Sequence, residues 1–151
     1  MEADILIRAI RHFLPDWRVA PIENVTDAGR DAILRESAIF LSLNYREGFG
    51  LPPAEAMRAG CLVVGYDGVG GAEFMTDNTC IPIPDSDIVA FIAELRKAAE
   101  SFGADGTFSG KYEKIRRNGF DTVTAKYSYD TFRKAFRAFW SKVDKSLAGM
   151  V

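Results

Sequence analysis

Apolar residues along this chain form short continuous runs that alternate with helical repeats. Two continuous runs have the length of a strand, Ala38 to Leu43 and Cys61 to Tyr66. Such runs, without polar alternation, are typical of strands that are covered on both faces. A third run, Cys80 to Ile83, contains one proline and is followed by another. Because proline cannot donate to a sheet ladder, this run predicts a strand at or near an edge.

Helical spacing is found between and around these runs. The repeat of Leu6, Ile7, Ile10 and Leu14 predicts an amphipathic helix that ends near Pro15. Capping residues and apolar spacing predict five more helices, at Asp27–Arg35, Pro53–Ala59, Ile88–Ser101, Lys111 to about Ala125, and Tyr129 to about Leu147. The segment Trp17 to Ile22 predicts an additional short strand.

The alternation of strands and helices favours one fold class. It predicts an α/β protein with a Rossmann-like parallel sheet, joined by right-handed crossovers, with helices on both faces. The two last helices would close the fold. With 151 residues, we expect a single domain over 1–151, with a core at about 16–101 and a C-terminal helical segment at about 111–147.

The overall charge excludes a strongly basic protein. The chain has 19 basic and 21 acidic residues, so we expect no nucleic-acid partner. Residues 111–151 nevertheless hold ten of the basic residues and only four of the acidic ones. Cys61 and Cys80 lie in apolar runs without metal-ligand spacing, which predicts reduced core thiols and a cytoplasmic location. No apolar run reaches about 18 residues, and residues 1–14 do not resemble a signal peptide.

The stretch from Glu47 to Glu55 carries the most specific chemical pattern. It connects a predicted buried strand to a predicted helix through Gly48, Phe49, Gly50 and Leu51, followed by two prolines. A glycine-rich loop at a helix start presents backbone N–H groups that suit a phosphate or several hydroxyls. We expect Glu47 at the carboxyl edge of the sheet, where α/β folds bind ligands, and Glu55 in the first turn of the helix.

This stretch resembles the signature of the family 4 retaining glycosyltransferases. The resemblance rests on Glu47-x7-Glu55, on Gly48 to Leu51 after the first acid, and on Glu55 to Gly60 around the second. Gly70-Gly71-Ala72-Glu73 is similar to the family's next Gly-Gly-x-x-Glu loop, with Glu73 one place early. Lys126 to Tyr129 resembles the Tyr-Ser-Trp start of the family's last helices. In all, the resemblance covers roughly residues 20–145.

The resemblance implies the carboxyl-terminal, donor-binding half of a GT-B enzyme, which transfers a hexose-type sugar from a UDP-, GDP- or ADP-sugar. It implies no cofactor and no metal. Glu47 would face the transferred sugar as the catalytic carboxylate, and Glu55 would accept hydrogen bonds from the ribose diol. The remaining donor-binding residues would be Gly48, Phe49, Gly50, Leu51, Gly70, Gly71 and Glu73. Glu73 serves equally well as an acid that complements a helix dipole.

Two parts of the family pattern have no match here. One is a basic Arg and Lys pair that neutralises the donor diphosphate, a contribution that usually supplies much of the rate. The other is an N-terminal acceptor domain, on the same chain or a partner chain. We therefore expect this chain to have little or no transfer activity by itself.

Two alternatives stay open at the level of sequence. Gly68-Val69-Gly70-Gly71 with a later Asp85 partly matches a dinucleotide-binding fingerprint, although Glu73 stands where the third glycine belongs. The second alternative is a non-catalytic docking domain, which would bind a partner glycosyltransferase or the inner face of an anionic membrane. The stripe of Phe132, Phe136, Phe139 and Trp140 in the basic last helix predicts either a core-facing surface or a lipid contact.

Overall fold

The computed structural model describes residues 2–148, with the side chains of residues 3–143. Three parallel strands, β1 (Ile39–Ser42), β2 (Leu62–Gly65) and β3 (Ile81–Pro82), form a sheet in the order β1-β2-β3. Six α-helices are described: α1 (Glu2–Phe13), α2 (Asp27–Glu36), α3 (Leu51–Ala59), α4 (Ile88–Glu100), α5 (Gly110–Lys126) and α6 (Tyr129–Ala148). A short 3₁₀ helix, Gly70–Glu73, lies between β2 and β3.

The central strand β2 organises the packing on both faces of the sheet. Its residues are completely buried, as the continuous apolar run predicts. Leu62, Val64 and Tyr66 point into one apolar cluster with side chains of α1 and α4. Cys61 and Val63 point into the opposite cluster, with side chains of α2, α3 and α5. The predicted α/β class with helices on both faces is confirmed, and β3 is an edge strand as expected.

The buried clusters extend beyond the core predicted at residues 16–101. Leu6 and Ile10 of α1 and Tyr112 and Val123 of α5 are almost fully buried. Arg116 of α5 also donates a 3.1 Å hydrogen bond to the carbonyl oxygen of Gly60, which ends α3. Helices outside the expected limits therefore provide part of the cover that the parallel sheet needs.

The strand predicted at Trp17 to Ile22 is wrong. In the described chain this segment forms no strand and pairs with none of the three strands. Trp17 instead packs its ring against Phe102, with centroids 5.5 Å apart. Pro21 has no N–H for a sheet ladder. Trp17 and Val19 pack against the apolar cluster of α1, β2 and α4, and Ile22 packs against the opposite cluster.

The core-facing prediction for the last helix is also wrong. Phe132, Phe136, Phe139 and Trp140 are between 47% and 61% exposed. They contact one another along the helix, with centroid distances from 5.6 to 6.0 Å, rather than filling a core. The helical repeat predicted the stripe correctly, but periodicity alone does not say what covers it. None of the described helices is long and apolar enough to cross a membrane.

Candidate functional site

The candidate site is built from two loops at the carboxyl edge of the sheet. The first loop, residues 43–50, follows β1, and the second loop, residues 66–73, follows β2. Because β1 and β2 are parallel, both loops leave the sheet at the same edge. The N–H of Glu47 donates a 2.8 Å hydrogen bond to the carbonyl oxygen of Gly68. This bond and a parallel bridge between Glu47 and Val69 hold the loops side by side.

Glycines allow the backbones of the two loops to touch. A β-carbon built on Gly70 would lie 2.6 Å from the carbonyl carbon and oxygen of Gly48. A β-carbon on Gly50 would lie 3.2 Å from Cα of Gly71, and Gly50 has the left-handed φ of 84°. Only glycine combines that conformation with so close an approach. The backbone of the second loop therefore packs directly against the backbone of the first loop and supports it.

The first loop keeps a run of unused backbone donors. Within the described part of the chain, no hydrogen bond uses the N–H groups of Phe49, Gly50 and Leu51. Leu51 begins α3, and Pro52 and Pro53 have no N–H, so these three groups are the donors of this helix start. Such donors, next to a partial positive helix end, suit phosphate oxygens and hydroxyl groups.

The donors of the second loop are used inside the loop itself. Gly70 N–H donates to the carbonyl oxygen of Gly68, and Gly71 N–H donates to that of Asp67, both at 2.8 Å. Val69 N–H is bound by the side chain of Asp67. Gly70 and Gly71 thus support the first loop through close packing, while their predicted contact with a donor stays a prediction.

Glu47 is half-buried and held from two sides. Its backbone is fixed to Gly68, and its Oε1 accepts a hydrogen bond from Nδ2 of Asn44. Asn44 follows β1 and was not recognised from the sequence, although a polar amide just beyond a buried strand is a usable signal. The carboxylate of Glu47 is therefore oriented by the loop that also carries the free N–H groups.

Glu55 lies in the second turn of α3, so its placement in the first turn was wrong. The helix begins at Leu51, ahead of the two prolines, because proline fits the first turn of a helix. Oε2 of Glu55 lies 3.2 Å from Nε of Arg30, which projects from α2. The sequence did not indicate Arg30, because the two residues are separated by 24 intervening residues and meet only where α2 packs on α3.

Glu73 forms an ion pair with Lys126, the last residue of α5, at 2.8 Å. Hydrogen bonding and charge attraction from Lys126 lower the pKa of Glu73 and keep it ionised. Next to this pair, the ring of Tyr127 lies 4.9 Å from that of Phe49 and 5.8 Å from that of Phe74. The Lys126–Tyr127 segment therefore anchors both loops from the junction of the last two helices.

The described residues provide neither a reactive cysteine nor a cluster of metal ligands. Burial raises the pKa of the Cys61 thiol to about 11 and that of Cys80 to about 12, so neither is a thiolate nucleophile at neutral pH. Both cysteines are free, as predicted. Among the described side chains, no group of three or more His, Cys, Asp or Glu is arranged to hold a metal ion.

The dinucleotide-binding alternative lacks its structural context. That fingerprint needs a glycine-rich turn that opens a long helix with free N–H groups at its start. Here Gly68 to Gly71 leads into a four-residue 3₁₀ helix, and the N–H groups of Gly70 and Gly71 are occupied.

Comparison with known proteins assigns most of this chain to one family. Residues 19–119 match the sequence model of the family described as "Glycosyl transferases group 1". The chain belongs to this family. The match includes β1 to β3, both loops and most of α5.

Individual relatives of this glycosyl transferase domain agree with the match. An alpha-1,6-glucosyltransferase of Actinobacillus pleuropneumoniae serotype 7 (strain AP76) is 25% identical over 125 residues, which are 81% of this chain and 36% of that protein. A provisionally named glycosyltransferase, ORF378 of Acidianus filamentous virus 2 (isolate Italy/Pozzuoli), is 39% identical over 56 residues, 37% of this chain and 15% of that protein. The chain thus spans about a third or less of the length of these relatives.

A solved structure shows the same fold. It is the C-terminal domain of a glycosyl transferase group 1 family protein, LpcC, from Francisella tularensis. The TM-score is 0.58 with 21% sequence identity, over 84% of this chain and 63% of that one. The predicted fold, the carboxyl-terminal half of a GT-B protein, is confirmed at this level.

Proposed function

We propose that this group 1 domain is the nucleotide-sugar-binding domain of a family 4 retaining glycosyltransferase that transfers a hexose-type sugar. One observation carries the proposal: three consecutive unused N–H groups, of Phe49, Gly50 and Leu51, lie between two glutamates at the carboxyl edge of the sheet. A nucleotide sugar presents a diphosphate and two sets of hydroxyls, which need donors and charged acceptors in this combination. We place this binding in the cytoplasm.

Each side chain has one task in this proposal. Glu55 accepts hydrogen bonds from the vicinal diol of the ribose, and Glu47, held by Asn44, faces the sugar that is transferred. The free N–H groups bind the diphosphate and the sugar hydroxyls. Gly48 leaves open space over the first loop, because a β-carbon at that position would meet no atom within 4 Å.

The domain alone is expected to bind a donor without transferring its sugar. Rate enhancement in such a reaction needs cations that stabilise the leaving diphosphate. Arg30 and Lys126 form ion pairs with Glu55 and Glu73, so the charges of these two cations are already partly neutralised. We propose that an acceptor-binding domain, on the same chain or a partner chain, completes the enzyme.

Nucleoside diphosphates are expected to raise the melting temperature of the domain. At a ligand concentration of 100 times Kd, binding stabilises the folded state by about 2.7 kcal/mol, which raises Tm by roughly 5–10 °C for a domain of this size. The measurement is a thermal unfolding series with UDP, GDP and ADP, followed by calorimetric titration. In Glu55→Gln the affinity should fall roughly ten- to hundredfold, since a charge-assisted acceptor is lost.

A second glutamate on the neighbouring helix gives the matched control. Glu36 ends α2 and has an exposed side chain that lies 3.8 Å from Arg18. Glu36→Gln should bind as the wild type does. Equal affinity of Glu55→Gln and wild type would contradict the ribose role of Glu55. Tighter binding of NAD than of any nucleoside diphosphate would replace the proposal by the dinucleotide alternative.

The exposed stripe of α6 supports a second candidate function, attachment to an anionic membrane surface. Phe132, Phe136, Phe139 and Trp140 are exposed on a helix that also carries Arg133, Lys134, Arg137 and Lys142. Aromatic and basic residues on one amphipathic helix are the combination that interfacial helices use. The group 1 domain would then present its donor site beside the inner face of the membrane.

Cosedimentation with lipid vesicles tests this attachment. We expect binding to vesicles of phosphatidylcholine with phosphatidylglycerol at low salt, and release at high salt as the charges are screened. Binding should weaken about tenfold in the Phe136→Ser, Trp140→Ser double variant, and it should persist in Phe13→Ser, which changes an exposed aromatic residue of α1. Absence of binding at low salt would remove the lipid role, and salt-independent association with a protein partner would replace it.

A further inference from the structure

The side chain of Arg30 connects helix α2 to the glutamate that the proposed function assigns to ribose. Arg30 is the fourth residue of α2, and its Nε lies 3.2 Å from Oε2 of Glu55. Both side chains are about one third exposed, 33% for Arg30 and 35% for Glu55. By contrast, the Arg18–Glu36 pair at the other end of α2 is 3.8 Å apart and mostly exposed. Water therefore weakens the Arg30–Glu55 attraction far less.

Arg30 also has two acids on its own helix, but they are weaker partners. Asp27 lies 3.3 Å from Nη1 and is 93% exposed, while Asp31 lies 4.0 Å from Nε and is 59% exposed. Glu55 is thus the best shielded of the three carboxylates around this guanidinium. Since electrostatic attraction grows as solvent is excluded, Glu55 is the partner that Arg30 holds most firmly.

The contact orients Glu55 without using its acceptor sites. Nε of Arg30 is buried, and among the described residues it has no partner in hydrogen-bonding geometry. Among the described residues, the contact with Arg30 is the interaction of the Glu55 carboxylate, and no hydrogen bond ends on it. A charge contact at 3.2 Å restrains this carboxylate, while its oxygens keep their lone pairs for an incoming ligand.

We infer that Arg30 is a positioning residue, which holds the carboxylate of Glu55 in place for the vicinal diol of a ribose. The inference rests on the proposed donor-binding function. A glutamate side chain that must be ordered when the ligand binds reduces the affinity, by roughly 0.5–1.5 kcal/mol per side chain, or about two- to tenfold. Arg30 removes that cost before binding. Its effect is therefore confined to ligands that carry the diol.

The test compares two ligands that differ only in the diol. Calorimetric titration of UDP (or of GDP or ADP, whichever the wild type binds tightest) and of its 2′,3′-dideoxy analogue is carried out on wild type, Arg30→Met, Arg30→Lys, Glu55→Gln and the Arg30→Met, Glu55→Gln double variant. Arg30→Met should weaken the nucleotide about two- to tenfold and leave the analogue unchanged. Arg30→Lys, which keeps the charge, should recover part of the loss. Arg18→Met is the control and should bind as wild type.

The outcomes separate this inference from the proposed function. If the wild type binds the nucleotide and Arg30→Met binds it equally well, the positioning role is wrong and the donor site stands. If Arg30→Met weakens both ligands equally, or if its effect adds fully to that of Glu55→Gln, Arg30 acts elsewhere and the role is also wrong. If the wild type binds no nucleoside diphosphate, the proposed donor-binding function is wrong, and so is the positioning role of Arg30. Unfolding midpoints show which variants are folded, and Arg30→Lys carries the test should Arg30→Met not fold.

Discussion

Replacing Gly70 with alanine is expected to lower the free energy of unfolding by about 3 kcal/mol and to abolish nucleotide binding. The new β-carbon would lie 2.6 Å from the carbonyl carbon and oxygen of Gly48 and nearer still to the carbonyl oxygen of Glu47. These are backbone atoms, which cannot rotate away as a flexible side chain does. The first loop must therefore move off the second, and the N–H groups of Phe49, Gly50 and Leu51 move with it.

The matched control for this change is Gly48→Ala in the facing loop. A β-carbon at Gly48 would meet no atom within 4 Å, and the φ angle of Gly48 is not positive, so alanine fits this position. Urea unfolding should show a loss of stability in Gly70→Ala and none in Gly48→Ala. Titration of a nucleoside diphosphate should show that Gly70→Ala has lost binding. A Gly70→Ala domain of normal stability that still binds the nucleotide would show that the second loop does not support the first loop.

Replacing Gly65 with alanine is expected to cost still more stability, on the order of 4 kcal/mol. Gly65 ends the central strand with a φ of 138°, which other residues rarely adopt. Its β-carbon would lie 2.8 Å from the carbonyl carbon of Ser42 and nearer still to its oxygen. That oxygen accepts the N–H of Tyr66 at 2.9 Å, and the hydroxyl of Ser42 donates to the carbonyl oxygen of Tyr66 at 2.7 Å. The substitution would force β1 and β2 apart where both loops begin.

Chemical denaturation of Gly65→Ala and Gly29→Ala provides the comparison. A β-carbon on Gly29 of α2 would meet its nearest neighbours at 3.4 and 3.5 Å, which are ordinary contacts. Alanine there should be neutral or should stabilise the protein by about 0.5–1 kcal/mol, because glycine is unfavourable within a helix. An unchanged unfolding midpoint for Gly65→Ala would mean that the two strands separate at little cost.

Local patterns were sufficient for most of the helices and strands. Continuous apolar runs indicated β1, β2 and β3, because a strand covered on both faces admits few polar residues. Thr26 and Asp87 marked the starts of α2 and α4, and each caps its helix through a side-chain oxygen. The segment at Trp17 was wrongly predicted as a strand, because a local pattern does not show whether a partner strand exists. Its apolar residues fit a strand locally, but a strand exists only where a neighbouring strand is available for pairing.

The candidate site was predictable in its residues and not in its contacts. The spacing from Glu47 to Glu55 and its glycines lie in one stretch of chain, so the pattern is visible in the sequence. The sequence indicated Lys126 only as part of a motif, because its pairing with Glu73 depends on α5 ending beside the second loop. Arg30 had no signal at all, since its contact with Glu55 depends on how α2 packs against α3.

The sequence by itself determined the α/β class, the parallel strands, the glycine-rich loop between two glutamates and the two buried, unreactive cysteines. These features follow from local spacing and from hydrophobicity, which the chain carries residue by residue. Only the tertiary structure decided that the N–H groups of Phe49 to Leu51 are unused while those of Gly70 and Gly71 are occupied. It also decided that the stripe of α6 is exposed and that Arg30 holds Glu55. Hydrogen-bond partners, burial and ion pairs depend on which distant segments meet, and the spacing of residues along one chain does not specify that.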